Sequence, residues 1–367
     1  MRKVLVLDAR YEAAGDALDR VFEEFPLDVR GKTVLLKPNI LGPYAPERHV
    51  NTAPELVRAL VKRLRAAGGE VTVADNPGAR GYGAVEKSAE VSGILDASEG
   101  AFENIALDAA EIALPGRGIK LNISKKVLEC DVLISVPKFK THVLTRISGA
   151  VKNSFGFVVG GQKTRLHRTL EDHRAFSEML VDVYRLRVPD LVIMDGIVGM
   201  EGNGPSCTSL YPVGKILASD NGVSLDSVMT MMMRMAPGKV AMLEYANRLG
   251  LGETDLSRIE VVGEAAPLKK FRRPVPSIPQ RIPHGMMERF YPDVDRPRFD
   301  VDPGRCNACR HCHEICPGGA IAMEDEQPVY DYSKCISCYC CMELCPQQAL
   351  ELHDSFRTRV YRRLGIL

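Results

Sequence analysis

Two hydrophobic periods take turns over the first 268 residues. Short β-branched runs at 3–8, 33–37, 70–75, 131–136, 190–195, 214–219 and 258–262 predict strands. Between them, 54–67 is apolar at 56, 57, 60, 61 and 64, which is one face of a helix. Pro54 suits its first turn and Gly68 its stop. Similar patterns predict helices near 84–96, 172–187, 222–236 and 239–250. Strands alternating with helices predict an α/β domain over 1–268, a mostly parallel sheet with helices on both faces.

The pattern then changes. Residues 269–299 carry no sustained period, and seven prolines fall between 274 and 303, which reads as an extended linker. A compact cysteine-rich module follows at 300–350. In 351–367, Phe356, Val360, Leu364 and Leu367 oppose Arg357, Arg359, Arg362 and Arg363, an amphipathic helix in outline. Packing on the protein's own body is the expectation for it, a partner or membrane surface the alternative.

Charge and composition narrow the class. The 48 Lys+Arg nearly cancel 47 Asp+Glu, a net charge of +1 that gives no reason to expect nucleic acid. The apolar run near the N-terminus is too short for a signal peptide, and no segment approaches the roughly 18 apolar residues of a membrane span. A cytoplasmic protein without a transmembrane segment is expected. Of the 11 cysteines, nine lie between Cys306 and Cys345, a clustering that points to metal rather than to a disulfide scaffold.

Those cysteines repeat one spacing. Cys306, Cys309, Cys312 and Cys316-Pro317 are followed by Cys335, Cys338, Cys341 and Cys345-Pro346. Three thiolates two residues apart can wrap one face of a cuboidal cluster, and a fourth followed by Pro is turned towards another. Structural zinc is the competing donor chemistry, but zinc sites pair their ligands on separated turns. The repeat resembles a bacterial-type two-cluster ferredoxin. That resemblance implies two [4Fe–4S] clusters, one on Cys306, Cys309, Cys312 and Cys345, the other on Cys335, Cys338, Cys341 and Cys316. Cys340 fits no ligand position and reads as a small buried side chain. Two such clusters form a one-electron relay, so a redox partner protein is expected.

In open parallel sheets ligands bind beyond the carboxyl ends of the strands, and those positions here are dense in polar groups. Lys37 and Asn39 follow one strand, Lys138, Lys140 and His142 another, with Lys152, Asn153, Lys163 and His167 downstream. The lysines suit a small anion such as a phosphate-bearing ligand, although no known phosphate fingerprint occurs. A glycine-punctuated loop at 195–206 keeps Asp195, Glu201 and Asn203. Asp195, Glu201 and Asp220, with His142 or His167, form a candidate divalent-metal or proton-transfer set. Ordinary turn formation and a solvated basic loop are the bland readings of the same residues.

Several of these segments are longer than single motifs. KPN at 37–39, PKFKTH at 137–142, VKNSFG at 151–156, Lys163 with His167, and DGIVGMEGNGPS at 195–206, ahead of a two-cluster module, resemble the iron–sulfur proteins built on domain of unknown function 362. The resemblance spans about residues 30–350 and implies no particular reaction. Two functions follow as expectations. In the first, a ferredoxin-fused oxidoreductase or maturation factor, the clusters deliver electrons to a small anion held by Lys138, Lys140, Lys152 and Lys163, with His142 or His167 giving a proton. In the second, the chain is a non-catalytic electron-transfer or assembly subunit that docks a partner.

Overall fold

A computed structural model of the chain describes residues 1–77, 84–160, 162–163, 166, 173–206, 209–274, 298–336 and 338–353. The central sheet is assembled from β1 (Arg2–Asp8), β2 (Thr33–Pro38), β3 (Glu70–Val73), β6 (Val132–Val136), β9 (Leu191–Met200), β10 (Leu210–Ser219) and β11 (Ile259–Gly263). Their order across the sheet is β11-β1-β10-β9-β6-β2-β3. Every neighbouring pair is parallel except those of β10, which runs antiparallel to β9 and β1. Aside from the sheet, β4 (Ala109–Ala113) and β5 (Lys120–Ser124) form an antiparallel hairpin.

Alternate residues of each strand enter different cores, as the two-residue period of a strand requires. Val4, Val6, Leu35, Leu133, Val192, Met194 and Leu217 join one buried cluster, together with the helices His173–Tyr184, Gly222–Met232 and Ala241–Arg248. Leu5, Val34, Leu36, Ile134, Ile193 and Ile216 join the other, beneath the helices Ala14–Glu24 and Pro54–Ala66. Helices therefore cover both faces of the sheet. None among the described residues is long and apolar enough to cross a membrane.

Two segments expected as loops are strand. β9 runs on to Met200 because Leu210, Tyr211 and Pro212 of β10 pair with Met200, Gly199 and Val198, so Asp195 lies mid-strand. PKFKTH supplies β7 (Lys138–His142), which pairs with the outer part of β9 and with β8 (Arg146–Ile147).

The C-terminal module is α+β. β12 (Arg298–Val301) pairs with β15 (Leu350–His353), and β13 (Ile321–Glu324) with β14 (Gln327–Tyr330). Residues 351–353 are thus strand rather than the start of a helix, because β12 offers an open edge. The rest of the expected amphipathic helix, 354–367, and most of the proline-rich linker, 275–297, lie outside the described residues. The module sits against the α/β body. Tyr44 Oη donates to the Glu343 carbonyl at 2.9 Å, Gln348 Nε2 donates to the Ser206 carbonyl, and the Tyr339 ring lies 6.5 Å from that of His173.

Candidate functional site

The cysteines gather in two sets. Cys306, Cys309, Cys312 and Cys345 line one cavity of about 340 Å³, its open mouth included. Cys341 has Cys338, Cys335 and Cys316 as its charged-group neighbours. Each set joins three cysteines of one motif to the Cys-Pro cysteine of the other. Equivalent backbone amides point at the crossing sulfurs: Ala320 N–H donates to Cys316 Sγ at 3.2 Å and Ala349 N–H to Cys345 Sγ at 3.4 Å. Burial pushes the Cys312 thiol up to about 11, so thiolates packed this closely need a cation to stay charged. Four thiolates ringing a cavity fit a [4Fe–4S] cluster. Among the described residues no three His, Cys, Asp or Glu side chains are placed to close on a single metal ion.

A second cavity lies between the module and the body, about 720 Å³ with its mouth included. The body contributes Lys140, Lys152 and Lys163, and the module contributes Cys340, Glu343 and Leu344. Asn39 and Asn153 also line it, as do Asp75, Asn76 and Ser148.

The local fold explains how lysines come to be buried there. Along β7 the two-residue period sends Phe139 into the apolar core and puts Lys138, Lys140 and His142 on the other face. Lys152 and Asn153 come from the short helix Gly149–Asn153, whose first amides are held by a carboxylate from another helix. Ala150 N–H and Val151 N–H donate to Asp226 at 2.7 and 3.0 Å. Gly149 has φ +60°, and a Cβ there would fall on that carboxylate. Burial pushes the Asp226 carboxyl up to about 7 against the pull of the two amides.

The lysines divide by their partners. Lys37 Nζ meets Asp75 Oδ1 at 2.7 Å and donates to Asn153 Oδ1 at 3.2 Å, a buried ion pair at the cavity wall. Burial pushes its pKa down while Asp75 pulls it up. Lys138 Nζ meets Asp195 Oδ2 at 2.7 Å, and Tyr11 Oη donates to Asp195 Oδ1 at 3.0 Å. Neither Lys138 nor Asp195 lines the cavity, so these two candidates hold each other instead.

Among the described residues, Lys140 and Lys163 meet only carbonyls at hydrogen-bond distance. Lys140 Nζ donates to Val50 O at 3.1 Å, and Lys163 Nζ to Asn76 O at 2.6 Å. Burial pushes both ammonium groups down to about 7, and repulsion by neighbouring lysines adds to it. Lys152, half-buried, is also lowered by burial, with Glu343 opposing. Burial raises the Glu343 carboxyl to about 7, against the attraction of Lys152 and Lys140.

His142 Nδ1 accepts from Leu144 N–H and Thr145 N–H at 3.1 and 3.3 Å, so the ring proton of the neutral form belongs on Nε2. That nitrogen lies 3.2 Å from Glu343 Oε1, near but not aligned for a hydrogen bond. Glu201 is taken up by Arg272, whose Nε donates to Oε1 at 2.8 Å and whose backbone N–H donates to Oε2 at 2.7 Å. Glu201 and Asn203 stand outside the cavity lining, and Asp220 is exposed. Among the described residues no three members of the proposed divalent-metal set are placed around one ion. His167 lies outside the described residues.

Sequence reasoning missed Glu343 and gave Ser148 no role; Cys340 is buried, as expected, and also lines the cavity. The internal repeat hints at Glu343, since Glu314 is its counterpart, but nothing local says which copy faces the body.

Two parts of the chain match known families. Residues 34–231, more than half of it, match the family described as domain of unknown function DUF362, and residues 295–349 match the 4Fe-4S dicluster domain. A thylakoid-associated protein of Synechocystis sp. is 34% identical over 233 residues, covering 61% of this chain and 70% of that protein. The lactate racemase apoprotein of Thermoanaerobacterium thermosaccharolyticum is similar at TM-score 0.41 and 13% identity, over 64% of this chain and 58% of that one. The chain belongs to the DUF362 family and carries a C-terminal 4Fe-4S dicluster domain of the iron–sulfur electron-transfer type.

Proposed function

We propose that the protein is a cytoplasmic oxidoreductase that binds a small dianion between its α/β body and its ferredoxin-like module and exchanges electrons with it. The supporting observation is the cavity with a wall from each unit, cationic on the body side and next to cluster ligands on the module side. With Lys37 and Asp75 neutralising each other, three lysines face one carboxylate, Glu343, an excess of two positive charges when all are ionised. A dianion matches that excess and holds the ammonium groups in their charged form.

Two cavity-lining atoms, Ser148 Oγ and Asn76 Oδ1, are buried without a hydrogen-bond partner among the described residues. They suit a ligand that also carries hydroxyl or N–H groups. Two [4Fe–4S] clusters on the crossed cysteine sets would supply single electrons at low cost in rearrangement. The body's lysines bind and orient the anion, and His142 Nε2, 3.2 Å from Glu343 Oε1, packs beside that carboxylate in the cavity wall.

The test is anaerobic purification with iron and sulfide analysis, followed by equilibrium dialysis against inorganic phosphate. About eight irons and eight sulfides per chain are expected. Lys152→Ala should weaken phosphate binding about 10- to 100-fold, the worth of one charge-assisted contact, with iron content unchanged. Equal binding by the variant and the parent would sink the reading. A non-catalytic subunit would keep its electron exchange with a partner protein after that substitution.

A further inference from the structure

The cysteine repeat extends beyond its cysteines. Residues 306–320 and 335–349 align without a gap, so Arg310 corresponds to Tyr339, His311 to Cys340 and Glu314 to Glu343. The backbones agree as well. Arg310 and Tyr339 both take positive φ, 61° and 63°, ahead of the short helices His311–Ile315 and Cys340–Glu343. Near-identical local folds sit in opposite surroundings. Cys309, Arg310 and Glu314 are exposed, whereas Tyr339, Cys340 and Glu343 are buried. Only the second copy lines the cavity shared with the body.

On the reading that this cavity holds an anion, we infer that the two halves of the module have different jobs. The set Cys335, Cys338, Cys341 and Cys316 is the inner centre, which senses and serves the bound anion. The set Cys306, Cys309, Cys312 and Cys345 is the outer centre, where a one-electron carrier protein docks. Bound charge acts strongly on a centre a few ångströms away through protein and weakly on one beyond it or in contact with water. Cys340 and Glu343, on the short helix that also carries Cys341, line the cavity, while the exposed Cys309 and Arg310 let a partner approach the outer set. One electron leaves a reduced carrier, which is oxidised by one, and arrives at the inner centre, which is reduced by one. The outer centre ends as it began, and no bond or proton changes place.

The test uses the cluster-loaded protein. EPR spectra of half-reduced samples are recorded with and without saturating inorganic phosphate, whose binding is measured separately by dialysis. Phosphate should shift one of the two cluster signals, and Glu343→Gln, or Cys340→Ser if that variant folds poorly, should alter the same signal. Arg310→Glu should leave that signal alone and change the rate of reduction by a ferredoxin severalfold. Phosphate that binds yet moves neither signal, or both alike, overturns the division of roles while the anion site stands. If phosphate does not bind, the anion site fails. The division is then decided by the variants: it stands if Glu343→Gln and Arg310→Glu act on different centres, and falls if they act on the same one.

Discussion

Lys140 shows what burial does to a cation. Among the described residues its ammonium meets a single carbonyl and no carboxylate at bonding distance, and burial brings its pKa down to about 7. An unfolded lysine keeps its proton to about 10.4, so between these values the unfolded chain binds the extra proton and stability rises with pH. Below about pH 7 the folded protein must hold the buried charge. Lys140→Met should therefore stabilise the anion-free protein at pH 6, seen as a higher melting temperature, with a smaller gain at pH 9. Sulfate, whose own charge is constant over this range, should bind the parent best below pH 7 and weaken as Lys140 and Lys163 lose their protons. A sulfate affinity unchanged from pH 6 to 9 would contradict this account. The sequence displayed these lysines, yet it could not distinguish Lys138, neutralised by Asp195, from Lys140, which is not. That distinction depends on which strand lies alongside, a contact made across more than 50 residues of chain.

At the scale of elements, the seven strands expected from β-branched runs all form, because their apolar side chains are buried on both faces of the sheet. Pattern reading lost the hairpin β4–β5 and also β7. KFKTH alternates charged and uncharged residues, and lysines in such a pattern ordinarily signal a solvated face; here that face is internal, facing Asp195 and the cavity. The helix Ala14–Glu24 was missed for another reason. Its buried positions, Ala14, Ala17, Leu18 and Val21, keep helical spacing, but two alanines weaken the contrast. The short helix Gly149–Asn153 depends on one glycine more than on its pattern. Gly149→Ala puts a methyl where the Asp226 carboxylate accepts two amides, at a φ that costs about 1–2 kcal/mol for an L side chain. The expected outcome is a lower midpoint in urea and, because Lys152 rides on this helix, weaker phosphate binding. Loss of stability with full phosphate affinity would separate the helix from the site.

For the molecule as a whole, the cysteine spacing announced the ferredoxin-like module, but nothing in the chain announced where it would sit. Tyr44 and Glu343, 299 residues apart, share a hydrogen bond at the seam, and neither lies in a motif that predicts the other. One wall of the cavity therefore belongs to a unit of about fifty residues with the cysteine spacing of a cluster-binding module, and small metal-bound modules draw much of their folding free energy from the ions they hold. On the proposed function, cluster loading and ligand binding are then linked. A chain that has not received its iron and sulfide should have a folded body and no receptor, and so could not sequester a ligand it has no means to reduce. Chelator-stripped protein is expected to retain the circular dichroism of the α/β body and lose phosphate binding, with reconstitution restoring it. Undiminished binding by the stripped protein would show that the body alone makes the site.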